Sequence, residues 1–159
     1  MTRENDPFGS PLPSSNQDAF YYMELGATYL ELGSLADAAD AFRQAIARDP
    51  NLAEAHFNLG TVLSDRKNAK GAMAAYRRAI ELRPDFFEAQ FNLGAMYANG
   101  EGVKQELVMA FKWLDLASNL GHQEAPQYRD AVAELLDENQ LVSAQKLVKV
   151  WMDNWEQQQ

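Results

Sequence analysis

The chain has no cysteine, which excludes a disulfide framework and a thiolate metal site. Its only histidines are His56 and His122, and His122 with Glu124 offers two ligands where a metal site needs more. No stretch approaches the roughly 18 consecutive apolar residues of a membrane span. Basic residues are scarce: 14 Lys and Arg against 23 Asp and Glu leave a formal net charge of −9. Nucleic acid is bound by cations that displace counterions from phosphate, so this balance argues against it, and against an anionic membrane surface. A basic or apolar peptide is the compatible partner class. No phosphate-cradling loop is present, since Gly100-Glu101-Gly102 lacks both the spacing and the preceding strand. No residue set reads as catalytic, and no cofactor or metal is expected. The opening MTRENDP lacks the apolar core of a signal peptide, which argues against export and makes the cytoplasm the expected compartment.

With 159 residues the chain has room for one domain with a real core and is too short for two sizeable ones. Residues 1–16 hold Pro7, Pro11 and Pro13 with Gly9 and three serines, a spacing in which no helical or strand period survives. They read as a flexible tail. The alternatives are plain solvation or a short linear motif docking through Phe8 and Leu12.

Beyond the tail a period governs the chain. Gly26, Gly60 and Gly94 stand 34 residues apart, each preceded by a leucine (Leu25, Leu59, Leu93). A fixed period of this length means stacked copies of one two-helix unit. Tyr22, Leu25, Gly26 and Tyr29 fall on one face of a first helix, Gly33 breaks the chain, and Ala38, Phe42 and Ala45 mark a second helix closed by Pro50. The next copy reads His56, Leu59, Gly60, Leu63, then Ala72, Tyr76, Ala79 and Pro84. Its turn, Asp65-Arg66-Lys67-Asn68, lacks the glycine of the first. Small residues at these points let two helix backbones approach closely, and the aromatic fills the adjoining gap.

These two units resemble tetratricopeptide repeats, whose pattern is an aromatic, Leu-Gly, Tyr, Ala, Phe, Ala and Pro in fixed order. The third copy opens alike with Leu93, Gly94 and Tyr97, but runs through Asn99-Gly100-Glu101-Gly102-Val103 before its second helix. Gly94 to Ala110 is 16 residues where Gly60 to Ala72 is 12, so the turn has grown by four. With Ala110, Trp113, Ala117 and the closing Gly121-His122, this copy resembles a Sel1-like repeat. The remainder offers a helix from Gln123 to Leu136 and another behind a cap-like Asp137 with Gln140 three residues on. In that last helix Ala144, Val148 and Trp151 repeat the helical spacing, as an atypical terminal unit would.

The resemblance divides the chain into a tail (residues 1–16), repeats over 17–122 (19–52 and 53–86 tetratricopeptide, 87–122 Sel1-like) and capping helices over 123–159. The fold it implies is an all-α, right-handed α-solenoid of helix-turn-helix repeats with a C-terminal capping helix pair.

Each first helix packs inward through one stripe. At about 100° per residue, the positions pointing away from it are Phe20, Met23, Ala27, Leu30 and Glu31, then Glu54, Phe57, Thr61, Ser64 and Asp65, then Glu88, Phe91, Ala95, Ala98 and Asn99. The central column, Met23, Phe57 and Phe91, is apolar in every copy. In the family these positions line a concave groove for extended or helical peptides. The resemblance therefore implies a partner-binding groove of Phe20, Met23, Ala27, Leu30, Phe57, Thr61, Phe91, Ala95 and Ala98, with an acidic rim of Glu31, Glu54, Asp65 and Glu88. The alternative for the column is packing against the next unit's first helix. Tetratricopeptide co-chaperones grip a heat-shock C-terminal carboxylate with lysines, asparagines and an arginine. Here only Asn58 and Asn92 occupy suitable positions, and Met23, Ala27 and Glu88 stand where other members of that clamp belong, so the clamp is not expected.

The function implied is a non-catalytic protein–protein interaction adaptor or chaperone-like module. Its partner would carry apolar anchors and basic flanks. Two alternatives stand beside it: a self-assembling scaffold, in which Trp151, Trp155 or Phe8 would meet a second copy, and a regulatory subunit of an enzyme complex.

Overall fold

The computed structural model describes residues 15–159, so residues 1–14 of the expected tail, Phe8 and Leu12 among them, lie outside the described residues, while its last two, Ser15 and Asn16, begin the first helix. Within them the chain is all-helical: α1 (Ser15–Glu31), α2 (Leu35–Arg48), α3 (Ala53–Asp65), α4 (Ala69–Leu82), α5 (Phe87–Asn99), α6 (Leu107–Asn119), α7 (Ala125–Leu135) and α8 (Glu138–Glu156). Consecutive pairs α1/α2, α3/α4 and α5/α6 form helical hairpins, and each hairpin stacks on the next through α2 on α3 and α4 on α5. The architecture is an α-solenoid. Among the described residues no helix is long and apolar enough to cross a membrane.

The repeated glycines explain the hairpins. A Cβ on Gly26 would lie 2.5 Å from the Phe42 ring, and one on Gly60 would lie 2.8 Å from the Tyr76 ring. At Gly94 the neighbour is Leu114, whose Cγ would be 2.8 Å away and whose backbone N 3.1 Å away. Only a residue without a side chain permits these approaches. In the third unit the slot taken by Phe42 and Tyr76 is thus filled by the fully buried Leu114. Trp113, the aromatic that marks this repeat in the sequence, is half-buried and meets Trp151 edge-on at 6.4 Å.

The turns repeat as well. Gly33 (φ 74°) follows α1 in the left-handed region, with Gly33 N donating to Leu30 O at 2.9 Å and Ser34 N to Tyr29 O at 2.8 Å. This is the Schellman pattern, which satisfies the last carbonyls of a helix. One period later Lys67 adopts φ 62°, and the same two bonds recur from Lys67 N to Ser64 O and Asn68 N to Leu63 O. The turn without a glycine therefore has the same geometry as the first, held by a lysine in a region that L-residues enter at a cost. Asn68 compensates by capping α4, its Oδ1 accepting from Gly71 N at 3.1 Å.

The second and third repeats also tie their first helix back to the preceding proline. His56 Nε2 donates to Pro50 O at 3.0 Å, which places the ring proton on Nε2, and Gln90 Nε2 donates to Pro84 O at 2.6 Å. These positions lie one period apart, so a histidine and a glutamine perform one task where the first unit carries Tyr22.

The C-terminal pair caps the stack differently from a fourth hairpin. Both α7 and α8 take α6 as their main packing surface. Arg129 of α7 reaches Asp115 Oδ1 and Ser118 Oγ of α6, each at 3.3 Å. The α8 N-terminus is a complete capping box, with Gln140 N donating to Asp137 Oδ1 at 2.8 Å and Asp137 N donating to Gln140 Oε1 at 3.0 Å. Val132 and Ala144 join the core of units two and three, while a smaller cluster around Ala38, Ala39, Phe42 and Val62 holds unit one.

Candidate binding surface

The residues expected to line a groove fall into three environments. On α1, Phe20 stands 63% exposed, Ala27 is exposed, and Met23 and Leu30 are half-buried against the core of unit one. Spaced at i, i+3, i+7 and i+10, they share one helix face. That face is apolar and open.

The second environment is closed by aromatic contacts. Phe57 is half-buried with its ring 4.8 Å from Phe86 and 5.8 Å from Tyr76. Phe91 is stacked on His122 at 4.0 Å with an interplanar angle of 16°, and Tyr128 meets it edge-on at 5.1 Å. Both rings therefore already have partners at separations where aromatic pairs attract: Phe57 meets Tyr76 of its own hairpin and Phe86 at the lead-in to α5, and Phe91 meets His122 of its closing turn and Tyr128 of α7. The central column is not a uniform open floor: Met23 is half-buried against the core of unit one, whereas Phe57 packs against the residue that precedes α5 and Phe91 bridges to α7. The sequence placed His122 in a closing turn, which it is, but gave no sign of this stack. His122 also caps α7, its Nδ1 accepting from Glu124 N and Ala125 N, both at 3.2 Å. The imidazole thus links the Sel1-like unit to the terminal helices.

The third environment is polar. A cavity of about 270 Å³ opens between α3 and α5, lined by Thr61, Ser64, Asp65, Tyr76, Asn92, Ala95, Met96 and Glu101. Of the expected groove and rim residues it gathers Thr61, Asp65 and Ala95. Glu101 comes from the enlarged turn after α5, which is itself well ordered by hydrogen bonds: Glu101 N donates to Met96 O at 2.9 Å, Glu106 N to Tyr97 O at 3.1 Å and Gln105 Nε2 to Ala98 O at 2.8 Å. Gly102 (φ 73°) lets that turn lie against α4, since a Cβ there would sit 2.8 Å from the Ala69 carbonyl carbon. Tyr76 is only 3% exposed, and its hydroxyl donates to Thr61 Oγ1 at 3.4 Å. Burial raises the Tyr76 phenol above its ordinary 10.0; hydrogen bonds with Thr61 and Asn92 oppose the rise and the Asp65 charge adds to it.

The expected acidic rim is likewise uneven. Glu54 is ion-paired with Arg83, whose guanidinium also lies over the Phe86 ring at 3.6 Å. Glu31 and Asp65 are exposed, Glu88 and Ala98 are half-buried, and none of the rim other than Glu54 has an ion-pair partner among the described residues. At the far end, Trp151 meets Trp155 at 5.8 Å in a tilted arrangement as well as meeting Trp113, so a good part of both terminal tryptophans is used within the chain. Among the described residues no group of three or more His, Cys, Asp or Glu is placed to hold a metal ion.

Sequence reasoning left Ser64, Tyr76, Asn92 and Glu101 out of the candidate site. The 34-residue register could have found them, because the matching residues Leu30, Phe42, Asn58 and Lys67 line up on the first junction.

The family model for the tetratricopeptide repeat matches residues 23–85, and that for the Sel1 repeat matches residues 8–28 and 87–122. No curated protein matches the chain. Among solved structures it is similar to c5321, a protective antigen present in uropathogenic Escherichia coli strains displaying an SLR fold, with 30% identity and a TM-score of 0.75 over 86% of this chain. That match covers 30% of the antigen, so the chain spans under a third of its length. It is also similar to the first TPR domain of Spaghetti bound to an HSP90 peptide, at 21% identity and TM-score 0.67, covering 76% of this chain and 94% of that one. A third neighbour is MamA, at 23% identity and TM-score 0.65, covering 89% and 80% respectively. These last two likenesses concern the fold.

Proposed function

Since the chain is a tetratricopeptide repeat protein that carries a Sel1 repeat, we propose that it is a non-catalytic interaction module binding a protein segment, extended or helical, across the faces of α1, α3 and α5. The observation that carries this reading is the open α1 face. A phenylalanine left 63% exposed beside Ala27, Met23 and Leu30 forms an apolar patch of the kind that marks interaction sites. The partner supplies apolar anchors to that patch. Acidic Glu31, Asp65 and Glu88 along the same helices favour basic flanks and speed encounter at low salt. A neighbour of the same fold holds an HSP90 peptide, which supports a peptide as the ligand class. Met23, Ala27 and Glu88 give no cationic cradle for a terminal carboxylate, so the segment is held through side chains. The cytoplasm is the proposed compartment, on composition alone.

The test is capture of partners by the wild-type chain against a Phe20→Ser/Ala27→Arg variant. Both positions are exposed, so the variant keeps its helicity and thermal midpoint. A protein captured by the wild type and lost by the folded variant is the expected result; equal capture by both overturns the reading.

A further inference from the structure

The cavity between α3 and α5 differs in chemistry from the rest of the surface, and the repeat supplies an internal comparison. At the first junction, one period earlier, Ala27 replaces Thr61, Leu30 replaces Ser64, Phe42 replaces Tyr76 and Lys67 replaces Glu101, while Glu31 and Asn58 keep the acid and the amide. The second junction thus exchanges three apolar positions for hydroxyls and a cation for a carboxylate, all on one cavity of about 270 Å³. A repeat consensus does not require this change. Neither Asp65 nor Glu101 is ion-paired among the described residues; Glu101 Oε1 accepts only from Asn99 Nδ2, at 3.0 Å. The Tyr76 hydroxyl, all but buried, lines the cavity with hydrogen bonds to Thr61 and Asn92, and the one to Thr61 is long, beyond the usual 2.5–3.0 Å range for such bonds.

We propose that this cavity receives the guanidinium of an arginine side chain on the bound segment. The proposal rests on the groove reading above and names the partner chemistry at its Sel1 end. Two carboxylates set among hydroxyl and amide oxygens offer more acceptors than one ammonium can use, and they suit a planar group with five N–H donors. They are too few to hold a metal ion. Asp65 and Glu101 supply the charge-assisted bonds, and Thr61, Ser64, Tyr76 and Asn92 take the remaining donors. The glycine-hinged turn matters here because it holds Glu101 opposite the α3 terminus.

The experiment is a nuclear magnetic resonance titration of the full ¹⁵N-labelled chain with N-acetyl-L-argininamide at low salt. The expected result is saturable shifts in amides of residues 61–65 and 92–101, with the turn at residues 31–35 silent. Asp65→Asn with Glu101→Gln, both exposed, weakens the response by about tenfold or more while the spectrum stays folded. Shifts spread evenly over the acidic surface, shifts that survive the double variant, or an equal response to N-acetyl-L-lysinamide overturn the proposal. The Phe20→Ser/Ala27→Arg capture test is independent of Asp65 and Glu101, so failure here leaves the groove reading standing.

Discussion

Gly94→Ala is expected to destabilise the chain even though the exchange normally strengthens a helix. Gly94 lies inside α5, where alanine is favoured over glycine by roughly 1 kcal/mol on propensity alone. The new methyl would meet Leu114 at 2.8 Å from Cγ, 3.2 Å from Cδ2 and 3.1 Å from the backbone N. Leu114 is fully buried, so its side chain has nowhere to swing, and relief requires α6 to move bodily. Overpacking of this kind costs about 1–3 kcal/mol, and backbone involvement puts it at the upper end. Subtracting the propensity gain leaves a net loss of about 2 kcal/mol, or about 4–8 °C in thermal midpoint for a chain of this size. Gly60→Ala is expected to lose less, about 1 kcal/mol, because its new methyl meets chiefly the Tyr76 ring and the nearest backbone atom, Ala72 O, is 3.3 Å away. Far-UV circular dichroism melts with urea denaturation measure both. A Gly94→Ala variant as stable as the wild type, or more stable, would refute the close-packing reasoning.

Three further outcomes follow from the same geometry. Lys67→Gly removes a lysine from φ 62° and is expected to stabilise the chain by about 1 kcal/mol, the left-handed penalty less glycine's unfolded-state entropy, as read by urea midpoint. His122→Ala takes away both the α7 cap and the Phe91 stack and should cost about 2 kcal/mol, whereas His122→Asn, which keeps a cap acceptor, should recover part of the loss. Burial holds the Lys112 ammonium below its ordinary 10.5, so folding disfavours its charged form, and stability attributable to this group rises as pH climbs toward 10.5. Lys112→Met is accordingly expected to be more stable than the wild type at pH 7 and to lose that advantage near pH 10.5, measured by denaturation across the pH range.

The solenoid could be read from the chain because its determinants are local and periodic. Leu-Gly pairs, closing prolines and the Asp137/Gln140 box each act within a few residues of themselves, and the structure bears them out in place. The surface was harder to read because it depends on contacts between units. Helical spacing puts Phe57 and Phe91 on the outward face of their own helices, yet Phe86, His122 and Tyr128, which lie outside those hairpins' helices, arrive to meet them. Helical geometry within one unit says nothing of those neighbours. Leu114 was overlooked for a related reason: Trp113 beside it is larger, but the four-residue step from Ala110 decides which side chain faces Gly94. Glu101 escaped notice because it belongs to the enlarged turn, whose path depends on two glycines at positive φ and on where α4 begins.

The claim that the partner lies on the first-helix face is tested most directly by site-specific photocrosslinking. Benzoylphenylalanine is placed at Ala27 on α1 and, separately, at Ala74, an exposed position on α4. One discrete partner adduct is expected from Ala27 and none from Ala74. Adducts from Ala74 with Ala27 silent would contradict it and move the interaction to the opposite side of the solenoid.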